Sequence, residues 1–110
     1  MPKKISLPTI CIDFDGVICD NDELIEGAKP AIEALVNHGY RVIIHTMRAR
    51  TLQGRAKLIE WLDERDVPYH AVTALKEPAM AYIDDRAIHF DNWPQAIAAV
   101  GALNPLEAIE

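Results

Sequence analysis

The sequence predicts an α/β fold, a three-layer α/β/α sandwich around a mostly parallel central sheet, and three observations carry that reading. Short β-branched runs alternate with segments of helical period, and glycines, prolines and acidic turns fall between them. The 110 residues, 50% of them apolar, are enough for one core and leave no room for a second, so residues 1–110 form a single domain.

The elements follow in order. Ile10-Cys11-Ile12 is an apolar run that breaks off at the acidic, glycine-containing turn Asp13 to Gly16, as a buried strand with an abrupt end does. Ala28, Ala31, Ile32, Leu35 and Val36 recur at helical spacing; Pro30 suits a first turn, and Gly39 can supply the left-handed residue that stops the helix. Val42-Ile43-Ile44 is a second strand, and Leu52, Ala56, Ile59 and Leu62 define a second amphipathic helix that Pro68 is expected to end. Ala71-Val72 and Ala81-Tyr82-Ile83 are further strands, with a weaker one from Ala87 to Phe90. Asn92 caps a last helix with Pro94 in its first turn, and Gly101 is expected to close it. Strands alternating with helices imply right-handed crossovers and a parallel sheet.

Charge and composition exclude several classes of partner. A net charge of −6 repels nucleic-acid backbone and anionic membrane, both usually approached through basic patches. No apolar stretch approaches the roughly 18–20 residues of a membrane span, and Met1 to Lys4 is not followed by a signal-peptide core, so the expected location is the cytoplasm. Cys11 and Cys19 lack CxxC spacing and nearby Cys or His companions, which makes them buried thiols rather than metal ligands.

In open parallel sheets, ligands bind beyond the carboxyl ends of the strands, so the polar residues at those ends decide the chemistry. Asp13 and Asp15 follow the first strand, Thr46 the second; Lys76 precedes the fourth, and Asp84 and Asp85 follow it. Asp13 and Asp15, two apart in extended backbone, point to the same side, and Gly16 permits the turn that follows. Several carboxylates gathered at one rim repel one another unless a divalent cation neutralises them. Magnesium is the natural candidate, because it takes oxygen ligands and commonly joins one or two carboxylates to a substrate phosphate. The Thr46 hydroxyl could donate to a phosphoryl oxygen, and Lys76 offers it a compact positive charge. Arg48 and Arg50, just beyond Thr46, are further candidates for a substrate phosphate or carboxylate. Trp61 and Trp93 read as packing against the sheet.

The ordered set Asp13-Phe14-Asp15-Gly16-Val17, Ile44-His45-Thr46-Met47-Arg48, Lys76 and Tyr82-Ile83-Asp84-Asp85-Arg86 resembles the four motifs of the haloacid dehalogenase-like hydrolases. Within that family, the stretch through Tyr82-Ile83-Asp84-Asp85-Arg86-Ala87-Ile88 is similar to a group of small bacterial and phage members. The resemblance implies a Rossmann-like core in which Asp13 attacks phosphorus to form an aspartyl phosphate. Asp15 would protonate the leaving oxygen and later activate water, and Thr46 and Lys76 would hold the phosphoryl group. It implies magnesium bound by Asp13, the main-chain carbonyl of Asp15 and a carboxylate from Asp84 or Asp85, Asp84 being favoured. Asp15 also separates phosphatase from dehalogenase chemistry, since a departing halide needs no proton whereas an alkoxide does.

About thirty residues separate the first motif from the second, and the second from Lys76, enough for core helices and too few for a cap domain. Water exclusion and substrate choice then fall to a short flap from Val17 to Gly27, to another subunit of a homo-oligomer, or to a large substrate. The expected partner is a phosphorylated small molecule, or a phosphate on a larger one. Two other classes compete: a phosphorylation-switched receiver domain and a catalytically silent binding module. A receiver places its acidic pair first and its lysine last, whereas here a carboxylate pair follows Lys76. A silent module would have no need to keep Asp13, Asp15, Thr46, Lys76 and Asp84 together, and the lack of a GxxxxGK[ST] loop argues against a nucleoside-triphosphate kinase.

Overall fold

The computed structural model describes residues 8–75, 79, 81–84, 88, 89 and 92–103. In chain order the elements are β1 (Thr9–Asp13), β2 (Cys19–Asp20), β3 (Glu23–Leu24), α1 (Ala28–Asn37), β4 (Arg41–His45), a 3-10 helix (Met47–Arg50), α2 (Leu52–Glu64), β5 (Ala71–Thr73), β6 (Ala81–Asp84), β7 (Ile88–His89) and α3 (Trp93–Leu103). Every apolar run read as a strand is one, and five of them form a single sheet in the order β5-β4-β1-β6-β7, with all neighbours parallel. β2 and β3 form a separate antiparallel hairpin.

Alternation along the strands divides the sheet into two faces. Ile10 and Ile12 of β1 lie in register with Val42 and Ile44 of β4 and with Ala81 and Ile83 of β6, and all six belong to one buried cluster. The same cluster takes Ile32 and Leu35 from α1, Leu58 and Leu62 from α2, and Trp93, Ala96 and Val100 from α3, so all three described helices contribute to the core. Cys11 and Ile43, one step out of phase, point the opposite way and are buried as well. Truncating any of the large residues in the cluster to alanine should cost about 2–5 kcal/mol, from lost transfer energy and the cavity left behind.

Two helix ends differ from expectation. α2 stops at Glu64, four residues before Pro68, because Asp66 adopts a left-handed conformation (φ 54°) and the N–H of Val67 turns back to the Leu62 carbonyl. α3 runs through Gly101 to Leu103 rather than closing at the glycine. The other caps are as read: Asn92 Oδ1 accepts the Gln95 N–H at 2.9 Å, and Gly39 is left-handed (φ 103°) after α1. The tail from 104 to 110 lies outside the described residues. Among the described residues, no helix is long and apolar enough to cross a membrane.

This topology fixes the location of a site. From β1 the chain moves one way across the sheet, through β4 to β5, and then returns to β1's other side for β6 and β7. The connections therefore diverge on either side of β1, and its carboxyl end opens the crevice in which such sheets bind ligands.

Candidate active site

Asp13 is the last residue of β1 and stands at that crevice, paired in register with His45 of β4. One of its carboxylate oxygens accepts the N–H of Phe14 at 2.9 Å. The chain then turns sharply. The Phe14 carbonyl accepts N–H groups from Val17, Ile18 and Cys19, and Gly16 takes a left-handed conformation (φ 81°) that allows its own N–H to reach the Cys19 carbonyl at 2.8 Å. Asp15 is thereby lifted to the surface beside the strand tip, with 55% of its side chain exposed.

Thr46 follows the end of β4, next to Asp13 in the sheet, and is buried, only 3% exposed. Its N–H donates to the Thr73 carbonyl, which holds it against β5. Its Oγ1 accepts the Arg48 N–H at 3.2 Å and so caps the 3-10 helix. A buried threonine hydroxyl that accepts from backbone still has its own hydrogen to donate.

Arg48 does something the sequence does not announce. Its Nε and Nη2 donate to the two carboxylate oxygens of Asp15, at 3.1 and 2.7 Å, and its guanidinium lies over the Phe14 ring, 5.3 Å from the centroid. The hydrogen bonds with Asp15 push the Arg48 guanidinium further up from its already high range, so the cation is permanent. With both side chains 55% exposed, such a pair contributes only about 0–1 kcal/mol of stability. Its effect is to hold Asp15 over the strand tip in one orientation.

On the other side of β1, Ile83 of β6 is in register with Ile12, so Asp84 continues the strand alongside Asp13. Lys76, Asp85 and Arg86 lie outside the described residues. The structure thus brings Asp13, Asp15, Thr46 and Arg48 to one strand edge and the backbone of Asp84 to the same edge. Among the described residues, no group of three or more His, Cys, Asp or Glu side chains could hold a metal ion.

The flap is the antiparallel hairpin β2–β3 with its root and tip tied down. Trp93, 1% exposed, donates its indole N–H to the Val17 carbonyl at 3.1 Å. Trp61 donates to the Asp22 carbonyl at 3.3 Å and packs edge-on against Phe14, with centroids 5.1 Å apart. Trp61 therefore serves the hairpin rather than packing on the sheet alone.

A sequence profile described as haloacid dehalogenase-like hydrolase matches residues 10–92. The chain belongs to this family. The matched span holds every residue of the four motifs, and the parallel core of this haloacid dehalogenase-like hydrolase has no cap domain in either segment where one could be inserted, both described without a break from Val17 to Leu75. No match was found among curated proteins or among solved structures.

Proposed function

We propose that this hydrolase cleaves phosphate monoesters through an aspartyl phosphate on Asp13, with Asp15 as general acid and base. The observation that carries the reading is the position of Asp13 at the carboxyl end of the strand where the sheet connections diverge, with a buried threonine on the neighbouring strand and Asp15 held beside it by a two-pronged arginine. A carboxylate oxygen of Asp13 attacks phosphorus as the bond to the leaving oxygen breaks, and Asp15 gives that oxygen its proton. Water then attacks the phosphorus of the acyl phosphate, Asp15 takes up the water's proton, and inorganic phosphate leaves with Asp13 restored. Thr46 donates to a phosphoryl oxygen, and Lys76 supplies a positive charge to the same group.

The donor set assigned to a metal is made only of oxygens: the Asp13 carboxylate, the Asp15 carbonyl and Asp84 or Asp85. Such a set suits magnesium and lacks the His or Cys that zinc prefers. Bound there, magnesium would offset the charge that gathers on the transferring phosphoryl group. The substrate is a phosphorylated small molecule or a phosphate on a larger one, and the setting is the cytoplasm.

The test is a panel of phosphate monoesters assayed with and without magnesium, with Asp13→Asn as control. Magnesium-dependent phosphate release that Asp13→Asn abolishes is the expected result. Release that survives the substitution would refute the role of Asp13.

A further inference from the structure

A phosphate and its counter-ion need only the strand tips, yet a cavity of about 450 Å³ opens next to them, within the range of small-molecule sites. Phe14 and Arg48 form the side toward the catalytic edge, Met47 stands at the rim, 61% exposed, and α2 supplies the far wall. That wall is one helical stripe: Gly54, Lys57, Leu58 and Trp61 follow the spacing i, i+3, i+4, i+7. Gly54 allows the wall to stand close to the 3-10 helix, because a Cβ there would overlap the Arg48 carbonyl oxygen and crowd Thr51 Oγ1 at 2.9 Å.

The lining is apolar on its floor and charged on its sides. Met47, which is exposed, and Trp61, which is half-buried, present the apolar surface of the cavity, backed by the buried Phe14 and Leu58. Arg48 is engaged with Asp15. Lys57 has no ion pair or side-chain hydrogen bond among the described residues, which leaves an uncommitted cation on the α2 wall. Asp22, on the hairpin side, repels a second negative group and so confines it to the side of Lys57.

Resting on the phosphatase reading, we propose that this cavity receives the leaving group and selects monoesters whose alcohol has a flat, ring-sized body and a second anionic group that pairs with Lys57. Phosphate release from such a substrate would begin with its ring against Met47 and Trp61 and its far anion on α2, which aims the ester oxygen at Asp15.

The experiment compares phenyl phosphate with 4-carboxyphenyl phosphate, which differ only in the second anion. In the wild type the second should have the higher kcat/KM. Lys57→Met should reduce that preference roughly five- to tenfold, mainly through KM, and Lys57→Arg should restore most of it. Lys29→Met, the same change of charge on α1, should leave the ratio within about twofold. A ratio that Lys57→Met does not move, or that Lys29→Met moves equally, would overturn the assignment of the cavity. A wild type that hydrolyses other monoesters but neither of these would also overturn it, whereas hydrolysis of no monoester, or hydrolysis that Asp13→Asn leaves intact, would instead overturn the phosphatase reading beneath it.

Discussion

Trp61 and Trp93 make the same bond at opposite ends of one loop, and they do different work. Each donates its indole N–H to a carbonyl of the segment between β1 and α1, Trp93 to Val17 at the root and Trp61 to Asp22 at the tip. Trp93 is 1% exposed, belongs to the buried cluster and packs against Gly27, whose added Cβ would lie 3.3 Å from the tryptophan Cβ. Trp61 is half-buried, carries the Arg65 guanidinium 4.0 Å from its ring and lines the cavity beside Phe14 and Arg48. Identical hydrogen bonds thus occur in two settings, one ring enclosed in the core and the other half-buried on the cavity wall, where the proposed leaving-group site would use it.

The sharpest way to break this comparison is to remove each ring. Trp93→Ala should destabilise the fold by about 3–5 kcal/mol, read from denaturant midpoints, while the fraction that remains folded keeps its KM. Trp61→Ala should cost less stability and raise KM for aryl phosphates; equal losses of stability in both variants would contradict the division. Next in size, Gly54→Ala should cost about 1–3 kcal/mol, because the first turn of α2 must move away from the 3-10 helix. The same variant should raise KM, since Arg48 and Thr51 shift with it.

Arg48→Met should change stability by no more than about 1 kcal/mol, yet lower kcat for esters of poor leaving groups, because Asp15 loses the fork that orients it. A normal kcat in that variant would show that Asp15 is positioned without Arg48. The smallest effect concerns pH. Burial pushes the Cys19 thiol up from its ordinary range, so its contribution to stability is fully present below that range and is lost as the pH rises through the raised value. Melting temperatures should therefore fall on the alkaline side, and less so in Cys19→Ala. Tyr69, also pushed up, mainly by burial, adds a second loss in the alkaline range that this variant retains.

Most of the frame was legible because it depends on periodicity. The runs at Ile10 to Ile12 and Val42 to Ile44, β-branched and bounded by turn signals, read as buried strands, and the polar residues after them, Asp13 and Thr46, mark the rim whatever the loops do. Helix ends were less legible. Pro68 is a visible stop signal, but Asp66 reached a left-handed conformation first, and Gly101, weak as a helix former, is carried along by the helix around it. Within the site, positions along the strands could be read, and pairings across loops could not. Nothing in the spacing of Asp15 and Arg48 signals their ion pair, which spans 33 residues. The sequence offered Leu52, Ala56, Ile59 and Leu62 as the apolar face of α2, whereas Leu52 and Ala56 are exposed, Leu58 and Leu62 are buried, and Gly54, Lys57, Leu58 and Trp61 form the cavity wall.

The central claim is that Asp13 carries the phosphoryl group between substrate and water. Rapid acid quench of the enzyme during turnover of phenyl phosphate with magnesium, followed by peptide mass spectrometry, tests it most directly. The account predicts a single phosphoryl group on the peptide that contains Asp13, removable by hydroxylamine and absent from Asp13→Asn. Steady turnover with that peptide unmodified, or a phosphoryl group found on another residue, would contradict it.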